Sequence, residues 1–389
     1  MKKIGVLILL AFILGLFRVF LVYTPTGINI LSLLNIKWYF YILIFILTFY
    51  VTLTLHELGH LFSFLVQKVR IKALYLTFFV FVKENKKWKF KVHMPLIKIL
   101  GGLVIPDLNN ITNDEEYERL KNVFIKALKA APIVTITYFV ISITLVIVLP
   151  IFVNATLLNS FLYLHFLFAI PISILYIFSF NLNTKNMYGD FVAAKKMKEE
   201  LFSFTQLNQY IMFSSQIHNE TKIYMYNKNL EELKSGKSFY DFFAKNLLLV
   251  YMNSVVEDGF PIDNEIHEKL KNFNFFNFKK DELTISLIHA FILYSYINGD
   301  VDKAYDIYFR VKNLDHKLGE KYIKYINKKT AYLINYENNA DFLNDNDNIY
   351  IGDYWIFEPL FPNLYEDLKK THKPLKYKQY VSEVYCDIN

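Results

Sequence analysis

The sequence predicts an α-helical membrane protein: four transmembrane helices with a small cytoplasm-side β-hairpin, followed by a C-terminal all-α cytoplasmic domain. Three observations lead there. Of 389 residues, 54% are hydrophobic and 20% charged, against about 45–50% and about 25% in ordinary soluble domains. Four apolar stretches are each long enough to cross a hydrocarbon layer of about 30 Å. Finally, basic residues collect between those stretches: residues 1–200 carry 21 Lys and Arg against 10 Asp and Glu, whereas 201–389 carry 22 against 26. Basic charge set between apolar runs fits juxtamembrane segments and argues against nucleic-acid binding. The single cysteine, Cys386, excludes an intramolecular disulfide framework and a thiolate-rich metal cluster, and carries no readable role.

The first span runs from Ile4 to Tyr23, broken only by Arg18. Lys2 and Lys3 precede it as they would a signal peptide, but no small-residue cleavage site follows, so an uncleaved anchor is expected. Thr24–Lys37 then reads as a short external loop. The second span covers Trp38 to about Val66, the third Ala131–Val153 and the fourth Leu157–Phe180, which contains Pro171, a residue that kinks helices. The segment 67–130 holds thirteen basic residues, the loop 24–37 one and Asn154–Thr156 none, while Lys185, Lys195, Lys196 and Lys198 follow the fourth span. The positive-inside rule therefore puts both termini and the 67–130 segment in the cytoplasm of a multi-pass cell-membrane protein. The Lys195–Lys198 cluster reads as membrane-surface anchoring.

Between the second and third spans, Val80–Val92 reads as a β-hairpin with its turn near Glu84-Asn85. Trp88, Phe90 and Val92 alternate with Lys87, Lys89 and Lys91, a period of two. The apolar face suits membrane or substrate, and a plain solvent-side hairpin fits equally. Residues 201–389 contain no span and read as helices separated by Asn/Asp/Gly turns. Phe291–Val311 resembles one tetratricopeptide helix pair, with Gly299-Asp300 as its turn and Ala304 and Tyr308 as packing positions. No 34-residue recurrence accompanies it, so an irregular helical domain is the plainer expectation.

The chemistry lies at the end of the second span, in Leu53-Thr-Leu-His56-Glu57-Leu-Gly-His60. Residues four apart share one face of a helix. His56 and His60 can therefore direct two imidazoles at one Zn²⁺, with Glu57 beside them as general base. Ionisable groups inside an apolar helix are costly in a bilayer and are functional by default. The competing account is two interfacial histidines at the cytoplasmic end, with Glu57 paired to a lysine. A catalytic zinc takes three protein ligands, and the candidates for the third are Asp107, Asp114, Asp190, Glu199 and His165. Asp190 stands out because it closes Asn181–Gly189 just after the fourth span, where Gly189 allows a close backbone turn. The competing role for Asp190 is a helix cap, and for His165 a core histidine bonded to a carbonyl. His93, at the hairpin's end, is either a donor to a developing oxyanion or an exposed loop residue.

These features resemble the site-2 protease family of intramembrane zinc metalloproteases. The resemblance covers roughly residues 38–200. His56-Glu57-Leu58-Gly59-His60 matches the family's zinc helix, Gly101-Gly102 and Ala130-Ala131-Pro132 echo its Gly-Gly and Gly-Pro segments, and Asn181-Leu182 resembles the opening of its Asn-x-x-Pro…Asp-Gly motif. The resemblance implies His56, His60 and Asp190 as ligands, Glu57 as catalytic base, and Asn181 or Asn183 as an assisting amide. The motif's Pro is absent, Thr184 standing near its place, and Gly189 precedes Asp190 where the family has Asp then Gly.

The expected organisation is an anchor and external loop at 1–36, an intramembrane metalloprotease core at 37–200, and a cytoplasmic helical domain at 201–389 that recruits substrate or another protein partner. The expected activity is hydrolysis of a peptide bond in a membrane-embedded protein or peptide. The hairpin, through Phe90, would capture the unwound substrate by backbone pairing. The alternative is a non-catalytic immunity or scaffold protein that kept the fold. A third possibility, a zinc site completed by Glu199 or Glu200, needs either of them near His60.

Overall fold

A computed structural model describes residues 19, 21–84, 87–98, 101–108, 110–184, 187–214, 217–235, 242–271, 273, 282–313, 320–340, 358–360 and 373–376. The expected first span lies almost wholly outside the described residues. The chain divides into two units, one comprising Met1–Phe79, Ile99–Val104 and Leu120–Met197, the other Val80–Lys98, Ile105–Arg119 and Lys198–Asn389.

Among the described residues, three helices are long and apolar enough to cross a membrane: α2 (Trp38–Val66), α3 (Asp114–Phe152) and α4 (Leu157–Ser179). Helix α1 (Pro25–Leu34) precedes them. It occupies the stretch expected as a loop, because Thr24 and Pro25 start a helix there. Thr24 accepts a hydrogen bond from the Gly27 amide at 2.9 Å, and Pro25 takes the first helical turn. Asn29 on α1 then donates to the carbonyls of Pro150 and Val153, at 2.8 and 2.7 Å.

Helix α2 is built inside out relative to a soluble helix. Its exposed residues are apolar, among them Trp38, Ile42, Phe45, Ile46, Phe62 and Leu65, whereas Thr48, Thr52, His56 and Glu57 are buried. Thr48, Thr52, His56 and His60 follow one another at four-residue spacing, so the polar stripe faces the other helices and the apolar surface suits lipid. Helix α3 starts much earlier than the expected third span. Asn113 accepts from the Glu116 amide at 2.9 Å, and Asp114, Glu115 and Glu116 fill the first turn, where carboxylates complement the helix dipole. Pro132 and Pro150 lie within this helix and Pro171 within α4.

The expected hairpin is part of a larger element, an antiparallel sheet of β1 (Ile71–Leu76), β2 (Phe79–Glu84), β3 (Lys87–Val92) and β4 (Gly102–Pro106) in the order β3-β2-β1-β4. The period-two signal of β3 is plain in the sequence. The other strands are short, with Ala73, Tyr75, Val80, Val82 and Ile105 inside, and their mostly apolar sequences do not announce strands by polar–apolar alternation. On β3, Trp88, Phe90 and Val92 are all half exposed, at 50%, 57% and 53%.

In the second unit, side chains of the tail hold the backbone that precedes α3. The amide of Leu108 donates to Ser214 Oγ at 2.7 Å and that of Ile111 to Thr221 Oγ1 at 3.0 Å, while the Tyr224 hydroxyl donates to Asp114 at 2.7 Å. The tail's core is rich in tyrosine, with Tyr251, Tyr294 and Tyr308 fully buried. Helices α10 (Glu282–Ile297) and α11 (Val301–Lys312), counted with α5 (Asp190–Lys196), α6 (Glu200–Met212), α7 (Asn219–Lys234), α8 (Phe242–Glu257) and α9 (Asn264–Lys271), form the helix pair read from the sequence. Gly299 turns between them at φ +87°, and Ala304 and Tyr308 are buried.

Candidate metal centre

Every residue of the candidate centre belongs to the first unit. Two backbone approaches assemble it. Gly59 lies against α3: a Cβ built on it would sit 2.6 Å from Cα of Ala131. Helices α2 and α3 thus touch backbone to backbone, and the residues four before and four after Ala131 come within reach of the two histidines. His60 Nδ1 lies 2.9 Å from the Ala127 carbonyl, and His56 Nδ1 lies 3.0 Å from Thr135 Oγ1.

These contacts set the proton positions. A carbonyl only accepts, so His60 carries its proton on Nδ1. The Thr135 hydroxyl spends its proton on the Ala131 carbonyl at 3.2 Å, which leaves its oxygen to accept from His56 Nδ1–H. In the neutral imidazoles both Nε2 atoms then present lone pairs. Second-partner bonding of this kind orients metal-ligating histidines.

The third member arrives on the loop after α4. Leu182 N donates to the Ser179 carbonyl at 3.0 Å, Gly189 N to Leu182 at 2.8 Å and Phe191 N to Phe180 at 3.1 Å, with Asn183 and Tyr188 bridged across the loop. The loop folds back so tightly that a Cβ on Gly189 would lie 2.0 Å from the Ser179 carbonyl oxygen. Asp190 follows as the first residue of α5, with Gly189 and not Asp190 in the capping position. Its Oδ2 lies 3.3 Å from His56 Nε2 and its Oδ1 3.8 Å from His60 Nε2.

One donor atom from each of His56, His60 and Asp190 falls within 4.8 Å of the others. Two imidazole nitrogens and a carboxylate, converging in this way, form a donor set that could hold a metal ion. Two nitrogens and one oxygen match the ligands of catalytic zinc sites. Glu57, one position beyond His56, is 4% exposed, and its Oε2 has no hydrogen-bond partner among the described residues. Gly102, where β4 begins, packs directly on this side chain: a Cβ there would lie 2.4 Å from Glu57 Cγ and 2.6 Å from Oε1.

The remaining sequence candidates sit elsewhere. His165 is held by Thr48 Oγ1 at 3.0 Å and the Tyr138 hydroxyl at 2.8 Å, a side-chain clasp between helices rather than the carbonyl bond expected. Asp114 is bonded to Tyr224 and Lys228, and Asp107 and Glu199 are outside the His56–His60–Asp190 group. Glu200 lies 3.9 Å from Lys228. Asn181 and Asn183 are exposed on the loop, Phe90 is exposed on β3 with its ring 5.3 Å from Phe81, and His93 follows β3 in the second unit. Sequence reasoning missed Ala127, Thr135, Tyr176 and Phe180. The Phe180 ring stacks on His56 at 5.5 Å and 8°, and the Tyr176 ring lies 5.2 Å from it. The four-residue steps from Ala127 through Ala131 to Thr135 were the available signal for the first two.

No protein-family model, curated protein or solved structure matches the chain.

Proposed function

We propose that the chain is an intramembrane zinc metalloendopeptidase that hydrolyses a peptide bond of a membrane-embedded protein or peptide. The observation that carries this reading is the convergence of His56, His60 and Asp190 beside Glu57, whose Oε2 has no hydrogen-bond partner among the described residues, on a helix long and apolar enough to span a bilayer. His56, His60 and Asp190 would hold a zinc ion, which when bound would supply Lewis acidity toward a carbonyl and toward water. Glu57 takes the proton of the attacking water as its oxygen bonds to the carbonyl carbon. It returns that proton to the peptide nitrogen as the C–N bond breaks. Thr135 and the Ala127 carbonyl keep both imidazoles in the ligating tautomer throughout.

A transmembrane substrate hides its amides in its own helical hydrogen bonds and must unwind to be cut. The Lys and Arg distribution supports a cytoplasmic location for both termini and for the segment after α2, with the site toward that leaflet. The edge strand β3 offers backbone pairing to an unwound segment, and the C-terminal helical unit is suited to recruiting a protein partner. Purified full-length protein should hold about one zinc per chain, lost in Asp190→Ala. Glu57→Gln should keep the zinc and abolish cleavage of a co-expressed membrane substrate. Zinc retained in Asp190→Ala, or cleavage retained in Glu57→Gln, would overturn the reading.

A further inference from the structure

We propose that Tyr176 is a further catalytic residue, its hydroxyl donating to the carbonyl oxygen of the scissile bond as that oxygen gains charge. The assignment rests on the hydrolase reading above and names a group which that reading leaves out. Tyr176 lies on α4 one turn before Phe180, and the two rings share the His56 imidazole. Phe180 stacks flat on it, at 8°, as a packing residue does. Tyr176 meets it tilted, at 45° with centroids 5.2 Å apart.

The hydroxyl makes the case. The Tyr176 oxygen is buried and has no hydrogen-bond partner among the described residues. Buried tyrosine hydroxyls normally find one, and an orphan in a native fold calls for an explanation. The same condition holds for Glu57 Oε2, and the Glu57 carboxylate acts electrostatically on Tyr176. The phenol oxygen and Glu57 Oε2, both buried and within electrostatic reach, are thus bonded neither to each other nor to any other group among the described residues. A polar guest satisfies both. Peptide hydrolysis brings one: water for the carboxylate and a carbonyl oxygen for the phenol. Asn181 and Asn183, the amides first expected to assist, are exposed on their loop. A preorganised donor of this kind is worth about 10²–10³ in rate.

The test uses full-length protein in detergent, wild type beside Tyr176→Phe, which keeps the ring and removes the donor. Zinc content is measured first, then affinity for two probes. A phosphinic peptide presents a tetrahedral oxyanion, and a peptide hydroxamate draws its affinity chiefly from the metal. The expected result is unchanged zinc, hydroxamate affinity within threefold of wild type, and phosphinate affinity about 10²-fold weaker. Equal phosphinate affinity in the two proteins would overturn the assignment. Zinc lost from Tyr176→Phe would overturn it too, making Tyr176 a support for His56. Failure of the hydrolase reading looks different: wild type would hold no zinc, or would hold it and bind neither probe.

Discussion

The Asp190 carboxylate lies 3.3 Å from Nε2 of His56, and the residue before it decides that distance. Gly189 occupies a place where any Cβ would meet the Ser179 carbonyl at 2.0 Å. Gly189→Ala must therefore open the loop and draw Asp190 away from both histidines. Zinc affinity, measured by competition with a chelator, should fall at least about tenfold, the range seen when support for a ligand is lost. Unchanged affinity would show that the loop relaxes without moving Asp190.

Thr135→Val tests the tautomer argument. Valine keeps the shape but removes the oxygen that accepts from His56 Nδ1 at 3.0 Å. The imidazole then lacks the partner that fixes its proton, and zinc affinity should weaken by about 10–100-fold. Thr135→Ser, which restores the acceptor, should recover most of it.

On the proposed hydrolase reading, Gly102→Ala separates catalysis from metal binding. The added methyl overlaps the Glu57 carboxylate, with contacts of 2.4–2.6 Å, and approaches none of the ligands as closely. Displacing a base by about 1 Å costs about 10²-fold in rate. The variant should retain its zinc while losing cleavage by that order. Simultaneous loss of zinc would mean that β4 supports the ligands as well.

His165 belongs to a structural clasp. Removing its Tyr138 partner by Tyr138→Phe should cost about 0.6–2 kcal/mol of stability, the scale of interhelical side-chain hydrogen bonds in membranes. Unfolding in mixed micelles reads that loss, and zinc content should not change. Zinc loss would return His165 to the metal site.

The β2–β3 hairpin carries a pH dependence of its own. Hydrogen bonds from Lys89 and then Lys91 hold the Glu84 carboxyl down to about 2. A carboxylate with a lowered folded-state value stabilises fully above the ordinary glutamate range of about 4.3 and loses that contribution as pH falls toward the lowered value. Hydrogen exchange corrected for intrinsic rate should thus show hairpin protection constant from pH 7 to about 5 and declining below. In Glu84→Gln that acid-dependent decline should vanish.

The sequence by itself determined the apolar helices and the first half of the candidate metal site, because both are local. Trp38–Val66 is apolar by composition, and a helix places His56 and His60 on one face whatever surrounds them. The β3 strand was legible for the same reason, its period of two lying within one short run. The tertiary structure decided what depends on two segments meeting. Among the candidates for third ligand, all with suitable side chains, Asp190 alone joins the histidines, through a loop closed by backbone bonds that leave no trace in side-chain pattern. Gly59, Gly102 and Gly189 are alike in sequence as small residues, yet each works by what it nearly touches: Ala131, Glu57 and Ser179. Thr135 and Tyr176 look like ordinary membrane-helix residues until α3 and α4 bring them against His56. The direction of a side chain's lone pair or proton is set by its neighbour across a helix interface, and that neighbour is chosen by packing.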